Sequence, residues 1–199
     1  MPSPAPLEPS YLYHIYNRGV NGEDILREDR NYAHFLRLYA QHVAPVADTF
    51  AYCLMHNHFH LAIRVRETDS APKDTYDDTW HLPPASQAFS NFFNAYAKAI
   101  NKTFNRTGGL FENPYRRIHV QTEAYFKNLI AYIHLNPQKH GFVTDFRDWK
   151  WSSYAAVLSQ QPTHLQRDEL LNWFDGPAQF RLVHLNARPD TALMAQDFD

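Results

Sequence analysis

The chain has 199 residues, 44% of them hydrophobic and 15% aromatic, with a formal net charge of −2. That length suits one domain with a real core, and the apolar content excludes a disordered chain. The near-neutral charge argues against a general duplex-coating protein, although it leaves room for a local basic groove.

Residues 1–10 (MPSPAPLEPS) have neither the basic region nor the apolar core of a signal peptide and are expected to form a disordered leader. No apolar run nears the ~20 residues that cross a bilayer, so no membrane association is expected. The single cysteine, Cys53, rules out internal disulfides and fits a reducing, cytoplasmic setting. Residues 11–18 (YLYHIYNR) are rich in β-formers and predict a first strand. Gly19 and the Asn21-Gly22 pair then turn the chain. Asp29 is placed to cap a helix reaching about Val43, with Tyr32, Phe35, Leu36 and Tyr39 at helical spacing, and Pro45 ends it. Two strands are expected at 48–54 and 58–65, joined through Met55, His56 and Asn57.

Residues 66–84 are polar and predict a surface loop, either a functional lid or a tolerated insertion. The clearest helix spans 86–105, where Phe89, Phe92, Phe93, Tyr96, Ile100 and Phe104 form an apolar stripe. A fourth strand is predicted over 117–121. A last core helix should begin at Thr122 or Glu123 and stop at Asn136, because the residue before Pro137 is pushed out of helical geometry. Strand, helix, strand, strand, helix, strand is the ferredoxin-like βαββαβ order, an α+β fold whose antiparallel sheet carries its helices on one face. Farther on, 168–173 predicts a short packing helix and 187–199 a frayed tail.

Chemistry concentrates in residues 51–65, AYCLMHNHFHLAIRV. Side chains alternate across a strand, so His58 and His60 share one face while Phe59 points to the other and anchors the core. Such a pair is either structural or a grip for one divalent metal ion. On the last core helix Tyr132 and Asn136 are four residues apart and stack on one face. A tyrosine there can be presented beside the apolar stripe, and the Asn136 amide oxygen can complete the coordination of a metal. A hydroxyl nucleophile next to a metal suits phosphodiester cleavage. Tyr125, seven residues earlier, returns to nearly the same helix face, and spacing alone does not choose between the two tyrosines. The polar side of helix 86–105 carries Lys98 and Lys102 among asparagines without acidic residues. Arg106, Arg116 and Arg117 extend that basic zone, and together they suit phosphate contacts.

Five segments resemble the single-tyrosine HUH transposases, in particular the insertion-sequence-200-like and REP-associated tyrosine transposases. They are YHIYNRG (13–19), AYCLMHNHFHL (51–61), NRTGGLFENPYRR (105–117), YIHLNP (132–137) and DWKWSSY (148–154). The resemblance implies a ferredoxin-like HUH domain over 11–154, with 155–199 as a helical extension and tail. It implies His58 and His60 as metal ligands, Asn136 as the third ligand, Tyr132 as the catalytic tyrosine, and Mg²⁺ or Mn²⁺ as the ion. The implied partner is single-stranded DNA beside a hairpin, cleaved through a 5′-phosphotyrosine and rejoined by the free 3′-OH. Relatives include both monomers and homodimers. Asn17 and Arg18 in the first segment join the candidate DNA contacts. Two positions depart from the family pattern. FENPYRR replaces a more basic, glutamine-containing stretch, and His56 stands where proline is common. Three imidazoles, His56, His58 and His60, on one strand face would instead suit zinc or iron and a metallohydrolase or oxygenase. A non-catalytic nucleic-acid-binding protein is the other alternative.

Overall fold

The computed structural model of the protein describes residues 6–67 and 83–187. Residues 1–5 of the expected leader, 68–82 of the expected loop and 188–199 of the expected tail lie outside the described residues. Strands β1 (Leu12–Arg18), β2 (Ala47–Leu54), β3 (His58–Val65) and β4 (Arg116–Val120) form one antiparallel sheet in the order β2-β3-β1-β4. Helix α1 (Asp29–His42) joins β1 to β2, and α2 (Ala85–Thr103) joins β3 to β4. The α+β, βαββαβ fold expected from the sequence is thus the fold observed. Helix α3 (Glu123–Lys139) follows, and α4 (Tyr154–Leu158), α5 (Arg167–Trp173) and α6 (Pro177–Asn186) lie beyond it.

The two-residue period of the strands divides the interior into two cores. Ile15, Phe59, Leu61 and Ile63 pack with Phe35 of α1 and with Phe89, Phe92 and Tyr96 of α2. The two helices of the βαββαβ unit therefore share one face, and Phe59 is the anchor its position predicts, fully buried 5.1 Å from the Phe35 ring. Ala51, Cys53, Ala62 and Val120 look the other way, where α3 lays down Phe126, Leu129, Ile130 and Ile133. Leu170 of α5 and Phe180 of α6 join this second core, so the C-terminal helices back α3. Burial pushes the Cys53 thiol pKa up, as suits a small buried hydrophobe.

Two local features differ from expectation, the cap of α1 and the end of α3, while the start of α3 agrees with it. Glu28, not Asp29, caps α1, in a reciprocal capping box with Asn31. The N-terminus of α3 is capped by Thr122, whose hydroxyl accepts from Tyr125 N–H at 3.2 Å. At its other end α3 runs three residues past Asn136, through Pro137 to Lys139. Proline removes one intrahelical bond there. The last turn still closes, because His140 N–H donates to the Asn136 carbonyl at 2.9 Å and Phe142 N–H to that of Pro137 at 2.9 Å.

The DWKWSSY segment protects an edge. β2 is an outer strand, and Leu54 N–H donates to the Trp151 carbonyl at 3.0 Å while Ser153 N–H donates to that of Tyr52 at 2.9 Å. Trp149 Nε1 donates to the Leu54 carbonyl at 2.8 Å. These bonds occupy backbone groups that an open edge would offer to another chain. At the end of β1, a Cβ on Gly19 would stand 2.0 Å from the Glu23 carbonyl oxygen, so only glycine fits where the chain turns against Asn57. No helix among the described residues is long and apolar enough to cross a membrane.

Candidate active site

The strand register carries His58 and His60 to the face that α3 covers. Arg18 lies opposite His58, and Tyr16 lies opposite His60 on one side and Arg116 on the other. The two imidazoles meet edge to face, with ring centroids 5.3 Å apart. α3 brings Tyr132 edge-on to His60 at 5.5 Å and to His14 at 6.2 Å. Asn136, one turn later, is fully buried. Tyr132 does not stand in an open cleft: the residue is 8% exposed and its ring lies within this aromatic group.

The hydrogen bonds around the two histidines matter for what they can hold. His58 Nδ1 lies 2.7 Å from Asn57 Oδ1, and an amide oxygen only accepts, so His58 Nδ1 carries the proton and Nε2 keeps a lone pair. His60 Nδ1 lies 2.9 Å from His14 Nε2. His60 Nε2 and Asn136 Oδ1 are both buried without a hydrogen-bond partner among the described residues. The Asn136 amide nitrogen is already used, donating to the Tyr132 carbonyl at 2.9 Å. Buried polar atoms are normally paired, so two orphans on the facing surfaces of β3 and α3 mark a place made for something else. Imidazole nitrogen and amide oxygen are both competent donors to a divalent cation.

Electrostatics keep these rings neutral, the form in which imidazole ligates. Burial draws the His58 pKa down to about 3, aided by His140, Lys139 and Arg18 and opposed by the Asn136 side chain. Burial also holds His60 well below its ordinary value, with His14, His58, His140 and Lys139 adding to the effect. Lys139 Nζ stands 5.2 Å from the Tyr132 ring centroid, and the His140 ring 4.9 Å from that of His58. Lys139 and His140 are exposed and Arg18 partly so. Lys139 and Arg18 give the site a basic mouth, Lys139 at the C-terminal end of α3, where the helix carbonyls favour positive charge.

His56 does not share that face. It sits in the β2–β3 turn with Nδ1 3.0 Å from the Tyr32 hydroxyl and its ring against Phe142 and Trp149. The strand begins only at His58, so alternation cannot be extended back to it. Among the described residues no group of three or more His, Cys, Asp or Glu side chains is arranged to hold a metal. Tyr125 lies two turns before Tyr132, about 10 Å along the helix axis.

The candidate DNA contacts divide between the two sides of the sheet. Arg18 and Arg116 are on the histidine face by register, with Arg18 paired to Glu112 at 2.6 Å. Asn17 is 1% exposed, and its amide donates to the Glu112 carbonyl at 3.1 Å while accepting from Arg18 N–H. Lys98 and Lys102 are exposed on α2, across the sheet. Arg106 is bound to Glu23 and Asn101, and Arg117 stacks over Tyr115 at 4.2 Å. Sequence reasoning passed over His14, Lys139 and His140. For two of them the signal was there: Lys139 and His140 follow Asn136 by three and four residues, one helical turn.

A βαββαβ sheet that offers paired imidazoles to a tyrosine and an asparagine on a covering helix resembles the single-tyrosine HUH class. No family model matches the chain. A relative from Haemophilus influenzae named "Putative REP-associated tyrosine transposase" is 27% identical over 112 residues, covering 54% of this chain and 58% of the relative. The chain thus matches little more than half of that relative's length. A solved structure of a REP-associated tyrosine transposase bound to a REP hairpin superposes with a TM-score of 0.58 at 12% identity, over 81% of this chain and 88% of that one. At that identity it shows the shared fold. The five sequence segments and the Haemophilus influenzae relative are similar to the same group, the REP-associated tyrosine transposases, and the solved structure shares its fold with this chain.

Proposed function

We propose that the protein is a metal-dependent transposase that cleaves and rejoins single-stranded DNA next to a hairpin, with Tyr132 as nucleophile and His58, His60 and Asn136 as metal ligands. The observation that supports this most is the coincidence of buried His60 Nε2 and Asn136 Oδ1, without hydrogen-bond partners among the described residues, with a tyrosine ring edge-on to His60. A divalent ion bound by these groups, Mg²⁺ or Mn²⁺, would supply the charge that polarises a non-bridging phosphate oxygen.

The chain's own residues do the rest. Tyr132 Oη attacks phosphorus and loses its proton, the bond from phosphorus to the 3′ oxygen breaks, and that oxygen leaves as a 3′-OH. The 5′ phosphate remains on Tyr132, and because the diester bond is exchanged rather than lost, the 3′-OH can reverse the step without ATP. Burial of the ring between His14, His60 and α3 fixes the direction of attack. Arg18 and Lys139 at the mouth hold the backbone phosphates by charge, with Arg116 farther along the same face. Support for the hairpin comes from the similar solved structure, which holds one.

Mixing the protein with labelled single-stranded hairpin oligonucleotides and Mn²⁺, then running a denaturing gel, tests this. The expected result is a covalent adduct that disappears in Tyr132→Phe and persists in Tyr125→Phe. An adduct kept by Tyr132→Phe and lost by Tyr125→Phe would move the nucleophile. No adduct in any protein, with hairpin binding intact in chelator, would indicate a binding protein on the same fold.

A further inference from the structure

β1 delivers to the site a residue outside the metal and nucleophile set. His14 is 2% exposed, and its Nε2 lies 2.9 Å from His60 Nδ1. The two rings are nearly parallel with centroids 5.1 Å apart, and Tyr16 stacks on both, at 4.6 Å from His14 and 5.6 Å from His60. The plane of His60 is therefore fixed by its neighbours before any ion arrives.

A bond between two neutral imidazoles shares one proton and has two forms. In one, His60 Nδ1–H donates to a bare His14 Nε2, and His60 Nε2 keeps its lone pair. In the other, His14 Nε2–H donates, His60 carries its proton on Nε2, and that nitrogen cannot ligate. Only the first form is compatible with a metal at His60 Nε2.

We propose that His14 is a positioning residue, which accepts the His60 Nδ1 proton and so holds His60 in the tautomer whose Nε2 binds the divalent ion. This rests on the reading of His60 as a ligand. The partner of a ligating imidazole commonly fixes its tautomer and raises its basicity. The pairing is also costly: His14 Nδ1, like His60 Nε2, is buried without a partner among the described residues. A pair kept for packing alone would be served as well by apolar side chains, which leave no polar atom unpaired. The orphaned atoms make sense when His60 Nε2 has an occupant that repays them.

Two measurements test it. In the Mg²⁺-bound wild-type protein, long-range ¹H–¹⁵N NMR should show His60 protonated at Nδ1 and His14 protonated at Nδ1 with a bare Nε2; the opposite tautomers overturn the proposal, and no variant is needed. In Mn²⁺ titration calorimetry of the metal-free full chain, His14→Leu should weaken binding about tenfold or more. His14→Gln, which keeps an acceptor oxygen on that side chain, should stay within about threefold of wild type. Equal loss in both variants, or none in His14→Leu, overturns it. His60→Ala separates the two levels of inference. If it binds Mn²⁺ like the wild type, the ligand reading falls and this proposal with it. If His60→Ala loses binding while His14→Leu keeps it, only the role of His14 falls.

Discussion

His134 Nδ1 lies 2.8 Å from His184 Nε2, a buried bond that ties α3, the helix of Tyr132, to α6 in the C-terminal extension. Its direction is fixed from both ends. The Phe180 carbonyl can only accept, so His184 Nδ1–H donates to it at 2.7 Å and leaves Nε2 as an acceptor. His134 Nδ1–H therefore donates to His184, and His134 Nε2 accepts from the Ser153 hydroxyl at 2.8 Å. Ser153 Oγ in turn accepts from Tyr52 N–H at 2.9 Å. One unbroken chain of bonds runs from the outer strand β2 through α3 to α6, and its two central bonds, Ser153 to His134 and His134 to His184, require both histidines neutral.

Acid should therefore loosen the protein. Burial draws the His184 pKa from 6.5 down to about 4, opposed by the bond to the Phe180 carbonyl. Burial, then the neighbouring His184, holds His134 well below 6.5. Above pH 6.5 neither the folded nor the unfolded form takes up these protons, and the contribution to stability is complete. As pH falls from 6.5 to about 4 the unfolded chain binds protons that the folded one refuses, and stability declines. For His184 alone that amounts to about 3 kcal/mol. The urea unfolding midpoint is expected to drop steadily across this window, and less steeply in a His134→Leu/His184→Leu double variant. A midpoint that stays level from pH 6.5 to 4 would contradict the account.

Asn136 separates stability from metal binding. Its side-chain oxygen is a buried atom without a hydrogen-bond partner among the described residues, and its amide nitrogen bonds a carbonyl one turn back in its own helix. Asn136→Leu replaces a poorly satisfied amide with a side chain of similar volume in an apolar surrounding, which ordinarily costs little or stabilises. The thermal midpoint is expected to hold or rise, while Mn²⁺ affinity by calorimetry falls about tenfold or more. A variant that melts well below wild type yet binds Mn²⁺ normally would make Asn136 structural.

Much of this was legible in the sequence because its strongest signals are periodic. Alternation in HFHLAIRV sets Phe59 into one core and His60 toward the other, and that holds whatever the tertiary details. The stripe through Phe89, Phe92 and Phe93 likewise fixes which side of α2 is buried. His14 was not legible: its role depends on the pairing of β1 with β3, a contact 46 residues apart that no local pattern encodes. Pro137 misled for a related reason. Its local preference ends helices, but packing of α3 across the sheet outweighs the loss of one hydrogen bond near a terminus. The reach of β3 was similarly overextended to His56, because a turn residue beside a strand has no parity.

His56 should prove structural. Its ring nitrogen meets the Tyr32 hydroxyl at 3.0 Å, and Tyr32 stacks on Trp151 at 4.6 Å. His56→Leu leaves that hydroxyl, on a residue only 2% exposed, without this partner, at a cost of about 1–3 kcal/mol in urea denaturation. Mn²⁺ affinity is expected to remain within about twofold of wild type. A tight zinc or iron site that vanishes with His56 would revive the three-imidazole alternative.

Charge placement makes the final prediction. Arg116 lies in line with Tyr16 and His60 across the sheet, whereas Lys98 and Lys102 project from α2 on the opposite side. If DNA enters at the histidine face, Arg116→Gln should weaken binding of a single-stranded hairpin oligonucleotide and flatten its log–log salt dependence by about 0.7, one phosphate contact on a single strand. Lys98→Gln/Lys102→Gln should leave both affinity and slope nearly unchanged, because those charges lie a full sheet thickness from the bound strand and are screened beyond ~10 Å at moderate salt. Fluorescence anisotropy over a salt series reads both quantities. The reverse pattern would place the DNA along α2 and separate binding from the histidine face.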